Sequence, residues 1–197
     1  MTQGRSDDEL EAYLPEVTIG EVERPADGVI ALADPDPAWA ARFAAEAAAI
    51  RAALGKRALL VEHVGSTSVP GLPAKPIVDV LLVVADSSDE AAYVPALEAA
   101  RYVLRIREPD WYEHRMFRTP GGDVQVHVFS EGCVEIDRML LFRDRLRSQA
   151  DERDLYARTK GELATRSWPT VQHYADAKTE VVEVIIGRAL AERDVGG

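Results

Sequence analysis

The period of the hydrophobic positions changes several times along the chain, and each change marks an element. In "DPDPAWAARFAAEAAAIRAALG", Trp39, Phe43, Ala47 and Ile50 recur at helical spacing and predict a helix with one core-facing stripe. Asp36 is placed to cap that helix, Pro37 to open it and Gly55 to close it. "GVIALA" (28–33), "ALLVEHV" (58–64), "YVLRI" (102–106), "EHRMFR" (113–118) and "VQVHVFS" (124–130) read as strands. The unbroken apolar run "IVDVLLVV" (77–84) reads as a central strand buried on both faces. A short helix is expected over residues 88–100, and the chain after Cys133 is helical to its end. These elements predict an α+β fold over residues 27–197: one domain with a mixed β-sheet packed by helices and a helical C-terminal third. Residues 1–26 show little apolar periodicity and read as a flexible N-terminal arm with an edge strand at 16–23.

Composition narrows the function. The net charge of −11 argues against nucleic acid as a partner, and no apolar run is long enough to span a membrane. The acidic N-terminus lacks a signal-peptide pattern, and the single cysteine, Cys133, excludes an internal disulfide; together they point to a cytoplasmic setting. The charge is uneven: residues 101–147 hold 9 arginines against 8 acids. An acidic shell around an arginine-rich centre suits a small anionic ligand, although solvated helix and strand faces would give the same count. Lysine is scarce, with only Lys56, Lys75, Lys160 and Lys178.

The stretch "VEHVGSTSVPGLPAKPIVDVLLVV" (61–84) carries the candidate chemistry. It has neither the P-loop spacing nor a nucleophile elbow, and the four histidines show no short zinc spacing. What remains is a strand, a Gly-Ser turn and a second strand bearing an acid. Gly65 lets a ligand approach the backbone, and Ser66, with Thr67 and Ser68 of the same turn, offers hydroxyl and N–H groups to a phosphate. Asp79 could hold Mg²⁺ against that phosphate, and Lys75, fixed between prolines, is the best single phosphate-contacting cation. A tight turn with a capping serine is the plain structural alternative.

Further along, a two-residue turn at Pro120 and Gly121 would set His114 opposite His127, and a four-residue loop would leave them near neighbours on one face. Such a pair, beside Arg115, could bind a metal or a phosphate. Arg143 and Arg147 share a helix face suited to clamping an anion or to pairing with nearby acids. Tyr156 and Lys160, and again Tyr174 and Lys178, are four apart, a spacing that serves base stacking with a phosphate contact or plain amphipathic packing.

"HVGSTSVPGLPAKPIVDVLLVV" closely resembles the signature of the GrpB family, small bacterial proteins of the nucleotidyltransferase superfamily. "DPDPAWAARFAAEAAAIRAALG", "VQVHVF", "LLFRDRLRS", "YARTK" and "YADAKTEVV" extend the resemblance over residues 28–193. It implies a nucleotidyltransferase-like fold in which Gly65 and Ser66 bind a triphosphate and Asp79 holds Mg²⁺. The expected activity is transfer of a nucleotidyl group from ATP or another NTP to a small acceptor. One such acceptor is a carboxylate activated for amide formation by a ligase-type reaction. Where the superfamily has a second carboxylate, this chain has Leu81, and the later strand offers Gln125 and His127 instead. Asp79, His114 and His127 are therefore the catalytic candidates, with Asp79 and His127 as metal ligands. The alternatives are a non-catalytic nucleotide- or coenzyme A-precursor-binding module and a metal-dependent hydrolase built on the histidine pair.

Overall fold

The computed structural model describes residues 5–196. Its centre is a five-stranded sheet in the order β1-β2-β5-β4-β3, formed by β1 (Leu60–Val64), β2 (Val78–Val84), β3 (Val103–Glu108), β4 (His114–Arg118) and β5 (Val124–Ser130). The β2–β5 pair is parallel and the other three pairs are antiparallel, so the sheet is mixed as expected. β2 lies between two neighbours, which is why its sequence is apolar almost throughout.

Alternation along β2 divides the fold into two layers. Val78, Val80, Leu82 and Val84 face α2 (Ala38–Leu54) and α3 (Val94–Ala99), packing with Ile50, Leu54 and Leu97. Leu81 and Val83 face α4 (Val134–Ser148), packing with Phe129 and Ile136. Asp79 is on this second face. α5 (Ala150–Ala164), α6 (Val171–Asp176) and α7 (Thr179–Gly196) complete the helical third. Val69 and Leu72 of the signature loop are buried against Leu146, Tyr156 and Ile185, so the C-terminal helices clamp the loop. Among the described residues, no helix is long and apolar enough to cross a membrane.

Three local expectations are corrected. The supposed flexible arm contains α1 (Asp7–Val17), with Leu10, Leu14 and Val17 buried. Its start is a capping box in which Ser6 and Glu9 satisfy each other's backbone N–H groups, a signal present in "SDDE". The first four residues of the arm, like Gly197 at the other end, lie outside the described residues. The edge strand expected at 16–23 reduces to one bridge, Thr18 to Ile106, and "GVIALA" to another, Ala33 to Ala74. Short apolar runs at a sheet margin lack the neighbours needed for a ladder. Of the two turn alternatives, the structure has the four-residue one: the β4–β5 register pairs Met116 with His127 and Arg118 with Gln125. His114 and His127 are thereby near neighbours on one face.

Candidate active site

The second face of the sheet, α1 and the C-terminal helices enclose a cavity of about 350 Å³. Gly65, Ser66, Lys75, Asp79, His114, His127, Lys160, Tyr174 and Lys178 all line it. Four separate segments of the chain therefore deliver the predicted residues to one place.

Gly65 has φ +67° and ψ −173°, a conformation nearly confined to glycine. A Cβ there would lie 2.2 Å from Asp79 Oδ2. The close approach that excludes a side chain is thus made by the Asp79 carboxylate rather than by a ligand. The turn Ser66–Ser68 follows, and its residues divide by role. Ser66 lines the cavity within hydrogen-bonding reach of the Tyr156 hydroxyl, whose pKa burial pushes up to about 12. Thr67 and Ser68 point away from any ligand: Thr67 Oγ1 donates to Ile77 O at 3.1 Å and contacts His63 Nε2, while Ser68 Oγ donates to Gly65 O at 2.6 Å. Both are buried fasteners of the turn, which corrects their place among phosphate contacts.

The arginines are corrected in the same way. Arg115 alternates with His114 and so faces the α2–α3 layer, where Nε donates to Glu90 at 2.6 Å and Nη2 to Glu113 at 3.1 Å. Arg143 bonds Glu62 and the His63 carbonyl, and Arg147 makes two bonds to the Ser68 carbonyl. They brace the signature loop from outside the cavity. Lysine supplies the cations around Asp79 instead, with Arg105, Arg118 and Arg138 lining the rest of the cavity. Lys75, Lys160 and Lys178, three of the chain's four lysines, converge on it. Burial and the neighbouring Lys178 push Lys160 down to about 7, and burial pushes Lys178 down to about 8. Lys75 is depressed by burial and by Lys178. Lys178 Nζ sits 4.6 Å above the Tyr174 ring, and Tyr174 Oη is buried with no hydrogen-bond partner.

On the other side of Asp79 runs a chain of polar groups. Asp79 Oδ1 is 3.7 Å from His127 Nε2, His127 Nδ1 is 3.1 Å from His114 Nε2, and His114 Nδ1 is 2.7 Å from Glu108 Oε2. Tyr13 of α1 donates to Glu108 Oε1 at 3.0 Å. Burial by itself would raise the Glu108 carboxyl, but the His114 and Tyr13 hydrogen bonds outweigh it and hold it below its usual value. Burial pushes His114 down to about 4, so it is neutral at physiological pH. Sequence reading missed Glu108 and Tyr13. The signal available for Tyr13 was the i, i+4 stripe of α1; Glu108 carried none beyond an acid at a strand end.

Magnesium fits one part of this arrangement. Among the described residues no three His, Cys, Asp or Glu groups are placed to hold a metal. A hard cation that keeps waters and takes phosphate oxygens needs only one or two carboxylates, and Asp79 supplies one. The His127 nitrogen is the poorer donor for such an ion.

A mixed sheet whose second face carries a Gly-Ser turn, an acidic strand and a helical cover defines a nucleotidyltransferase-like fold. The GLD-2/RNP-8 complex shares this fold at a TM-score of 0.52 and 15% identity, the match covering 90% of this chain and 63% of that one. The model of the GrpB protein family matches residues 29–188, and the chain belongs to that family. It is 57% identical over 187 residues to UPF0157 protein BH1888 of Halalkalibacterium halodurans, covering 95% of this chain and 93% of the relative. The crystal structure of GrpB from Enterococcus faecalis superposes at a TM-score of 0.73 with 31% identity, covering 83% of this chain and 99% of that one.

Proposed function

We propose that the cavity binds a nucleoside triphosphate with Mg²⁺ and transfers its nucleotidyl group to a small acceptor. The observation that carries this reading is the convergence of Lys75, Lys160 and Lys178 on Asp79 inside a protein of net charge −11. The lining carries six cationic side chains, these lysines with Arg105, Arg118 and Arg138, against Glu21, Glu23, Asp79, Glu108 and Glu135, and the three lysines all act on Asp79; the Gly65–Ser66 turn and the buried Tyr174 hydroxyl add neutral donors for a polyanion. Asp79 would hold Mg²⁺ against the phosphates, and the cation would neutralise charge developing there. The chain's own residues bind and orient the phosphates.

Leu81 favours a second reading. It is fully buried where a second carboxylate would stand, so a binding module without transfer chemistry shares the same site.

Calorimetric titration with the four common NTPs, with and without Mg²⁺, tests binding. Mg²⁺ should tighten wild-type binding, and Asp79→Asn should remove that increment while leaving a lysine-dependent remainder. No binding under any condition would sink the proposal. Pyrophosphate release in the presence of an acceptor separates transfer from simple binding.

A pH dependence follows from the lysines. Polyanion binding favours their charged forms, so complex formation near pH 8 should take up protons, and affinity should fall as pH rises above the values of about 7 and about 8. Titration in buffers of different ionisation enthalpy reads the uptake directly; a buffer-independent enthalpy contradicts it.

A further inference from the structure

The charged lining of the cavity sorts into local pairs, and one of them, at the rim, is incomplete. Glu135 accepts from Arg138 at 3.2 Å, Glu108 is held by His114 and Tyr13, and Arg105 Nη2 donates to the Glu21 backbone carbonyl at 2.9 Å. Lys75, Lys160 and Lys178 stand around Asp79. What remains is Arg118 with Glu23: Nη1 donates to Oε2 at 2.7 Å and Nη2 to Oε1 at 3.4 Å, while Nη2 also reaches the Gly122 carbonyl at 3.0 Å. Arg118 Nε is buried with no hydrogen-bond partner among the described residues, so the guanidinium is only partly used. The two partners also differ in how they are held. Arg118 is fixed on β4, and its side chain is 19% exposed against 42% for Glu23. Glu23 belongs to residues 19–25, a strap without helix or ladder. The strap runs from the Ile19–Arg105 hydrogen bond at β3 to the Glu23–Val171 hydrogen bond at the start of α6. The family match begins at residue 29, so Arg118 lies in the shared domain and Glu23 in a segment ahead of it.

The sheet register carries Arg118 towards the lysines. Asp79 pairs with Gln125 and Gln125 with Arg118, so the three share one row and one face of the sheet. Arg118 is two strands from Asp79, roughly 10 Å between backbones, a span that a long side chain crosses in large part. Lys75 is within reach of both: burial and Lys178 depress its pKa, Asp79 and Glu23 raise it, and Arg118 lowers it again. We infer that Arg118 is a phosphate-binding residue of the cavity and that Glu23 is its resident stand-in, a tethered carboxylate that a phosphate group of the bound triphosphate replaces on the guanidinium. This rests on the polyanion reading above. The Glu23 carboxylate meets the two Nη groups end-on and leaves Nε bare, whereas a phosphate group has oxygens enough to take Nε and an Nη together. Repulsion between the phosphate and the Glu23 carboxylate drives the same exchange. Only hydrogen-bond partners change, and the released carboxylate turns to the solvent it already faces.

Calorimetric titration of the full chain with inorganic tripolyphosphate, and with ATP·Mg²⁺ beside it, tests the exchange. Glu23→Gln should tighten tripolyphosphate binding roughly fivefold, the upper range for a partly exposed ion pair of good geometry. Glu21→Gln removes the same charge from the same strap and cavity wall without touching the Arg118 pair, so it measures the plain effect of charge. Equal tightening by the two variants overturns the inference. On an Arg118→Gln background, Glu23→Gln should gain no more than Glu21→Gln does, and a larger gain that survives there refutes the exchange. In nitrogen-15 spectra of the wild type, the Arg118 Nε–H proton should move downfield as tripolyphosphate is added. A signal that stays in place while the anion binds overturns the inference by a route that needs no variant. The two ways of failing are distinct. If neither tripolyphosphate nor ATP·Mg²⁺ binds any of these proteins, the polyanion reading falls and takes this inference with it. Binding by the wild type with no gain from Glu23→Gln removes the exchange alone.

Discussion

Gly65→Ala is expected to lower the melting temperature by several degrees and to abolish the Mg²⁺-dependent part of nucleotide binding. Two separate costs meet at this position. The backbone at φ +67° and ψ −173° is strained for any residue with a Cβ, by about 1–3 kcal/mol. For a domain of this size each kcal/mol lowers the melting temperature by roughly 2–4 °C. The new methyl would also lie 2.2 Å from Asp79 Oδ2 and 2.9 Å from its Cγ, distances that force the carboxylate to move. Because Asp79 is the proposed Mg²⁺ ligand, the displacement reaches function as well as stability. Differential scanning calorimetry and nucleotide titration on one preparation measure both effects. The two costs separate in a double-mutant cycle with Asp79→Ala, which removes the 2.2 Å and 2.9 Å contacts, leaves only the Cβ at 3.0 Å and keeps the backbone strain. Strictly additive losses of stability would show that the carboxylate contact plays no part.

How far the sequence discloses this site depends on the range of the interactions involved. Gly65, Ser66 and Asp79 are legible because a turn and its adjoining strand are local, and the GrpB resemblance fixes their register. Lys160 with Tyr156, and Lys178 with Tyr174, are legible because a spacing of four puts each pair on one helix face. The arginines are misread for the opposite reason. Arg143 reaches Glu62 and Arg147 reaches the Ser68 carbonyl, partners about eighty residues away that no local pattern reveals. Glu108 is hidden more deeply. Its role depends on α1 folding over the sheet edge so that Tyr13, 95 residues earlier, can share the carboxylate with His114. The fold was easier to read, since period and apolar runs report burial directly. The errors fall on "GVIALA" and residues 16–23, where a strand-like sequence lacks the partner strands that would make it one.

Lys178→Met should affect stability and binding in opposite directions. The half-buried ammonium is costly in the unliganded protein, since burial brings its pKa from 10.5 to about 8. A folded state that holds its proton less tightly than the unfolded chain is penalised most at low pH. The penalty is full below about pH 8 and fades as the pH climbs to the ordinary value of 10.5. Wild-type stability should therefore gain from this group across that window, and Lys178→Met should be the more stable protein at neutral pH while losing that part of the rise. Methionine keeps the unbranched apolar stem over the Tyr174 ring, 4.6 Å below the present ammonium, so little packing is lost. Triphosphate affinity moves the other way. A charged hydrogen bond to phosphate is worth about 1.5–3 kcal/mol, which puts the expected loss at roughly ten- to hundredfold. Melting curves at three pH values and titration with ATP·Mg²⁺ decide the matter. A variant less stable than wild type at neutral pH, or one that binds ATP unchanged, would show that Lys178 is a packing residue and that the cavity's charge serves no phosphate.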